Sequence, residues 1–104
     1  MIRVIIEHQA NNAEDAEKVI AVIHKIRDEI MKLPGYISGE TLINTEDGCD
    51  IIVISTWESL EQWNEWKKRE ICRELEEQEA PFLAKPLSFR TCESHHVMWM
   101  HDTT

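Results

Sequence analysis

Apolar and polar positions alternate along residues 2–9. Ile2, Val4, Ile6 and His8 take one side; Arg3, Ile5, Glu7 and Gln9 take the other. A period of two with unequal faces is a strand with one apolar and one mixed side. The period then lengthens. Asn11-Asn12 is a turn and cap signal, and Glu14, Asp15 and Glu17 suit the positive end of a helix dipole. Val19, Ile23, Ile26, Ile30 and Leu33 step by four and three, which predicts an amphipathic helix over about residues 13–32. Leu33-Pro34-Gly35 ends it.

Tyr36 to Asn44 reads as a second strand, with Gly39 a bulge or a point of close approach. Glu46-Asp47-Gly48 reads as a hairpin turn whose Asp-Gly pair supplies positive φ. Asp50 to Trp57 is a third strand. Its Ile51-Ile52-Val53-Ile54 core is apolar on both faces, which places it centrally in a sheet. Ser59 and Gln62 then form a capping box that starts a helix at about Leu60, setting Leu60, Trp63 and Trp66 on roughly one face. Beyond Lys67-Lys68-Arg69, an acidic helical stretch from Glu70 to Glu79 offers Ile71, Cys72 and Leu75 as its apolar face. Residues 80–86 read as a linker and residues 87–92 as the last strand.

The order β-α-β-β-α-β is the ferredoxin-like split βαβ pattern, an α+β fold with an antiparallel four-stranded sheet and helices on one face. Such a helical layer leaves the other sheet face bare. Covering it with a second copy predicts a homodimer. Residues 1–92 form the domain, and residues 93–104 form a C-terminal arm expected to pack across that dimer.

Composition narrows the partners. The 104 residues suit one domain, and 42% hydrophobic with 30% charged residues is a globular balance. Acidic residues outnumber basic ones 20 to 11, for a net charge of −9. That argues against nucleic acid and anionic membranes, which require Lys and Arg against phosphate. No apolar run reaches the ~20 residues of a membrane span, and Arg3, Glu7 and His8 interrupt any leader-like core, so a cytoplasmic protein is expected. Three cysteines without a C-x-x-C pair suggest free thiols.

The tail from Cys92 to Asp102 holds His95, His96, His101, Met98 and Met100. Imidazole, thiol and thioether together suit copper or zinc, but the spacing follows no structural zinc pattern. No metal is expected, and Met98, Trp99 and Met100 are read as dimer contacts.

With that element order and the segment Thr56-Trp57-Glu58-Ser59, Trp63 and Trp66, the chain resembles the antibiotic biosynthesis monooxygenase family of dimeric α+β barrels. The resemblance implies a monooxygenase acting on a small aromatic, quinol-like molecule with O₂, in an apolar pocket between sheet and helices. It implies no cofactor. Trp66 is then a catalytic hydrogen-bond donor, since an indole N–H donates only. His8 or Glu7 is the base, whichever faces the pocket. Trp63, Asn64, Tyr36 and Trp57 would bind the substrate. A haem-degrading branch is similar locally: Trp66 stands nine residues after Trp57, as its tryptophan does. The chain departs from that branch at the first strand, where Glu7 or His8 stands in place of Asn. It departs again at Arg73-Glu74-Leu75-Glu76-Glu77, which lacks the ligating His. Haem is therefore disfavoured. A non-catalytic dimeric binding module of the same fold is the other reading.

Overall fold

The structure, a computed structural model, describes residues 1–95. Its elements are β1 (Ile2–Gln9), α1 (Ala13–Ile30), β2 (Tyr36–Ile43), β3 (Asp50–Trp57), α2 (Leu60–Lys67), α3 (Glu70–Glu79) and β4 (Ser88–Glu93). The sheet runs β2-β3-β1-β4 and every pair is antiparallel, the ferredoxin-like order with three helices on one face. β3 is internal, as its doubly apolar core requires.

Register carries the face assignment. Ile6 pairs with Val53 and Phe89, and His8 with Ile51, all toward the helices; Ile5 pairs with Ile54 and Arg90 on the open face. The helix side holds two apolar clusters. One gathers Val4, Val22, Ile30, Trp57, Trp63, Trp66, Cys72 and Leu75; the other gathers Ala10, Ala16, Val19, Ile23 and Ile51.

Local chemistry sets the element ends. The Asn12 side chain accepts from Asp15 N at 2.8 Å and caps α1. Ser59 Oγ accepts from Gln62 N at 3.3 Å and caps α2, while its own hydroxyl donates to Gln62 Oε1 at 3.1 Å. The Gln62 amide is thereby bound to the Ser59 side chain, a different closure from the reciprocal backbone bond of a capping box. Gly35 has φ +92°, and a Cβ there would lie 2.2 Å from the Gln62 side chain, so glycine is required between α1 and β2.

Three expectations are corrected. The β2–β3 turn does not use positive φ at Gly48, since Gly35 alone has it among the described residues. Side chains shape the turn instead: Asn44 Oδ1 accepts from Glu46 N at 2.8 Å, and Asp47 Oδ1 from Cys49 N at 3.0 Å. Leu60 is exposed, while Trp63 and Trp66 on the same helix are buried. Residues 80–86 are not a free linker. A 3₁₀ turn at Ala80–Phe82 leads into a bridge between Leu83 and Ala10. Asn11 N donates to Phe82 O at 3.0 Å and Ala84 N to Gln9 O at 2.7 Å, so this segment is tied to the end of β1.

Cys92 and Glu93 lie in β4, and Cys49, Cys72 and Cys92 are free thiols. The expectations for the arm from residue 96 onward fall outside the described residues. Among the described residues no helix is long and apolar enough to cross a membrane, and no three His, Cys, Asp or Glu side chains cluster as metal ligands.

Candidate functional site

A narrow pocket of about 70 Å³ opens between the sheet and α1 and α2. β1 contributes Ile6 and His8; α1 contributes Ile23, Ile26, Arg27 and Ile30; β2 contributes Tyr36, Gly39, Glu40 and Thr41. Val53 and Ser55 of β3 and Trp63 and Trp66 of α2 complete it. Most of this wall is aliphatic or aromatic, and the exposed Arg27 and Glu40 stand at its rim. An apolar cleft with a few convergent polar groups is the usual form of a small-molecule site.

His8 is the polar group that the alternation of β1 turns inward, and it is only 3% exposed. Its Nδ1 forms a buried hydrogen bond with Oε1 of Glu79, the last residue of α3, which is 0% exposed. The tie between residues 80–84 and the end of β1 brings the two together, because it lays the C-terminal end of α3 over His8. Among the described residues, His8 Nε2 and Glu79 Oε2 have no hydrogen-bond partner. With a neutral imidazole and an ionised Glu79, Nδ1 donates to the carboxylate and Nε2 is the acceptor left over. Buried polar atoms seldom go unpaired, and those that do often belong to a working site.

The hydroxyls lie on the wall formed by β2 and β3. The Tyr36 phenol rests over Gly39, where a Cβ would come within 2.7 Å of its oxygen; this is the close approach foreseen for that glycine. A register shift between Tyr36 and Ser38 accompanies it. Burial pushes the Tyr36 pKa above its ordinary value, with the Arg27 guanidinium pulling the other way. The phenol is thus a proton donor at neutral pH. Ser55, buried on β3, accepts from Trp57 Nε1 at 3.0 Å and keeps its own hydroxyl hydrogen to give.

The other expected site residues separate. Trp63 and Trp66 line the pocket. Trp57 does not: it is wholly buried, edge-on to both Tyr36 and Trp63 with centroids 5.5 and 5.7 Å away, and supports the wall from behind. Asn64 is exposed on the outer side of α2, about 100° round from its inward neighbour Trp63. Glu7 takes the opposite parity on β1 and lines a separate recess at the strand end with His8, Gln9, Asp50, Lys85 and Ser88. The sheet face that packs against the helices decides between Glu7 and His8, and of the two only His8 lines this pocket.

Glu79 and Ser55 were not foreseen. Glu79 carried a signal: it follows Cys72 and Leu75 by three- and four-residue steps, on the inward stripe of an otherwise acidic helix. Ser55 carried a weaker one, its inward parity on a strand apolar at Ile51 and Val53.

Cys72 sits near the recess behind the dyad, where Lys67 and Glu76 form an ion pair at 2.5 Å. Burial, with the Glu76 carboxylate adding to it and Lys67 opposing, pushes the Cys72 thiol up to about 11.

Comparison with known proteins agrees with this architecture. A candidate antibiotic biosynthesis monooxygenase from Deinococcus radiodurans superposes with TM-score 0.87 at 11% identity, covering 98% of this chain and 100% of its own. SnoaB, a cofactor-independent oxygenase from Streptomyces nogalater, superposes with TM-score 0.83 at 7% identity, over 93% and 95% of the two chains. A conserved protein from Methanosarcina mazei gives 0.80 at 15% identity, over 88% and 89%. At these identities the likeness is one of fold. No curated protein matches the sequence. The family model described as antibiotic biosynthesis monooxygenase matches residues 1–78, three quarters of the sequence, and the chain belongs to that family.

Proposed function

We propose that this protein is an oxygenase that oxidises a small aromatic, quinol-like substrate with O₂ in the pocket between sheet and helices, without a cofactor. The observation that carries this reading is the unpartnered Nε2 of buried His8 beside a tryptophan-lined wall. His8 takes the phenolic proton. The resulting electron-rich anion is the species that gives an electron to O₂. Trp63 and Trp66 stack on the ring and exclude water, which strengthens every polar contact made inside. Tyr36 and Ser55 offer hydroxyl donors to the substrate oxygen, and Trp66 offers its indole N–H. Glu7, Asn64 and Trp57 have no contact with substrate in this reading.

The working unit is a homodimer joined through the open sheet face, where Ile5, Ile52, Ile54 and Leu42 sit together in register.

Oxygen uptake over a panel of hydroquinones and anthrones tests the proposal. The expected result is uptake that falls at least ~100-fold in His8→Gln, the scale of a lost general base. Trp66→Phe should lose activity with its circular dichroism unchanged. Normal turnover by Trp66→Phe would remove the indole as donor, and ligand binding with no uptake by the intact protein would make it a binding module instead. The reading needs no haem: the Arg73–Glu77 turn of α3 offers no imidazole, and Arg73, Glu74 and Glu77 face solvent. A saturating, stoichiometric haemin complex that decays under ascorbate in air would overturn that part.

A further inference from the structure

Glu79 is the part of the site that a base at His8 leaves unexplained. A carboxylate with no exposed surface needs both oxygens satisfied, and His8 Nδ1 satisfies only Oε1. Among the described residues, Oε2 has no partner. Glu79 lines a recess of about 30 Å³ that it shares with His8, Lys67, Cys72 and Glu76. A water needs roughly 10–15 Å³ and two to four polar partners, so this recess takes about one or two. Glu76 and Glu79 stand one turn apart on α3, where Cβ atoms are about 5–6 Å from each other, close to the span of two hydrogen bonds through one water. Glu76 in turn pairs with Lys67 at 2.5 Å, and the Lys67 ammonium is seated 4.1 Å from the centre of the Phe89 ring. Glu79 is fully buried, while the side chains of Lys67 and Glu76 are 27% and 31% exposed, so these polar groups lead from His8 to solvent.

We propose that this recess is the proton exit of the site: a water held by Glu79 Oε2 and the Lys67–Glu76 pair passes one proton to solvent for each one that His8 takes from the substrate. This rests on the reading of His8 as the pocket base, and it adds Glu79 and Glu76 as relay residues. The substrate O–H bond breaks, its electron pair stays on oxygen, and the proton forms Nε2–H. The Nδ1–H bond breaks toward Glu79. The Glu79 carboxyl gives a proton to the water, the water gives one to Glu76, and Glu76 gives one to bulk solvent. His8 is then neutral with its hydrogen on Nε2, and Glu79 is a carboxylate again. When the substrate peroxide formed with O₂ takes that hydrogen, a proton returns to Nδ1 by the same path, so none is gained or lost over a turnover.

A second recess borders His8 at the strand end, with Glu7, Gln9, Asp50, Lys85 and Ser88. Glu7 and Gln9 have the opposite parity to His8, and Glu79 does not line it, so it gives no route to the free carboxylate oxygen.

The deciding experiment mixes the intact protein with 1,4-naphthohydroquinone under argon in weak buffer. Tryptophan fluorescence follows binding, and phenol red follows protons released. The wild type should release about one proton per bound hydroquinone, and His8→Gln none. Glu76→Gln should bind within about twofold of the wild-type affinity yet release its proton at least about tenfold more slowly, and Glu76→Asp should recover most of that rate. Glu7→Gln should release at the wild-type rate. A high-resolution crystal structure of the ligand-free protein should show a water within hydrogen-bond distance of Glu79 Oε2 and of Glu76 or Lys67. An unchanged release rate in Glu76→Gln, or slow release in Glu7→Gln instead, overturns the exit and leaves His8 as the base. Binding without proton release by the wild type overturns the base reading and the exit with it. A recess without water overturns the exit whether or not the hydroquinone binds.

Discussion

Cys72 shows how one side chain reports its surroundings. Its thiol is buried and its pKa is pushed up to about 11, so it stays protonated where exposed thiols begin to ionise. Iodoacetamide at pH 8 should label the exposed Cys92 and the half-buried Cys49 well before Cys72, with peptide mass spectrometry as the readout. Equal labelling of all three would contradict the burial. The linkage sign follows. The unfolded thiol releases its proton near its ordinary value of about 8.5, while the folded one holds it to about 11. Between those values the native state binds more protons, so stability falls as pH rises through that window. The fall in urea midpoint over the window should be shallower in Cys72→Ala than in the wild type. Gly35 makes a steric case. Gly35→Ala meets both the positive φ and the Gln62 side chain, and should cost about 1–3 kcal/mol in urea unfolding. Gln62→Ala should recover the part due to the clash and leave the part due to φ.

At the scale of elements, the short helix α2 sets the tryptophans. It has only eight residues and relies on Ser59 for its start. Ser59→Ala should cost about 1 kcal/mol of stability, the usual worth of a cap. Because Trp63 and Trp66 both hang from this helix, the same variant should weaken binding of aromatic ligands, measured by tryptophan fluorescence. Unchanged affinity would show that packing on Trp57 and Phe89 holds the indoles without the cap. α3 is set from its other end, where the 80–84 segment pairs with β1 and delivers Glu79 to His8. The periodicity of α3 is readable in its residues, but its docking is not. It depends on backbone hydrogen bonds between segments some seventy residues apart.

At the scale of the molecule, the proposed homodimer rests on the open sheet face. Helices cover one side, and the other carries an apolar centre of Ile5, Ile52, Ile54 and Leu42 ringed by Arg3, Glu7, Glu40 and Arg90. Ile54→Lys places a charge at that centre without touching the pocket side. It should convert a sedimenting dimer to monomer; a wild type that sediments as a monomer would remove the proposed assembly.

The chain alone determined its elements, their order and which residues of each strand share a face, because alternation, caps and helical steps are local properties of neighbouring residues. The bounds of β3 and the shared inward face of Trp63 and Trp66 follow from that period alone, whereas the choice between Glu7 and His8 was made only when the sheet met the helices. Tertiary structure decided what those faces meet. It moved Trp57 behind the pocket wall and Asn64 out to solvent, shaped the β2–β3 turn with Asn44 and Asp47 where Gly48 was expected to act, and brought Glu79 onto His8. Local sequence sets which way a side chain points. Which buried group waits opposite it depends on contacts between distant segments, and these are fixed only when the layers pack.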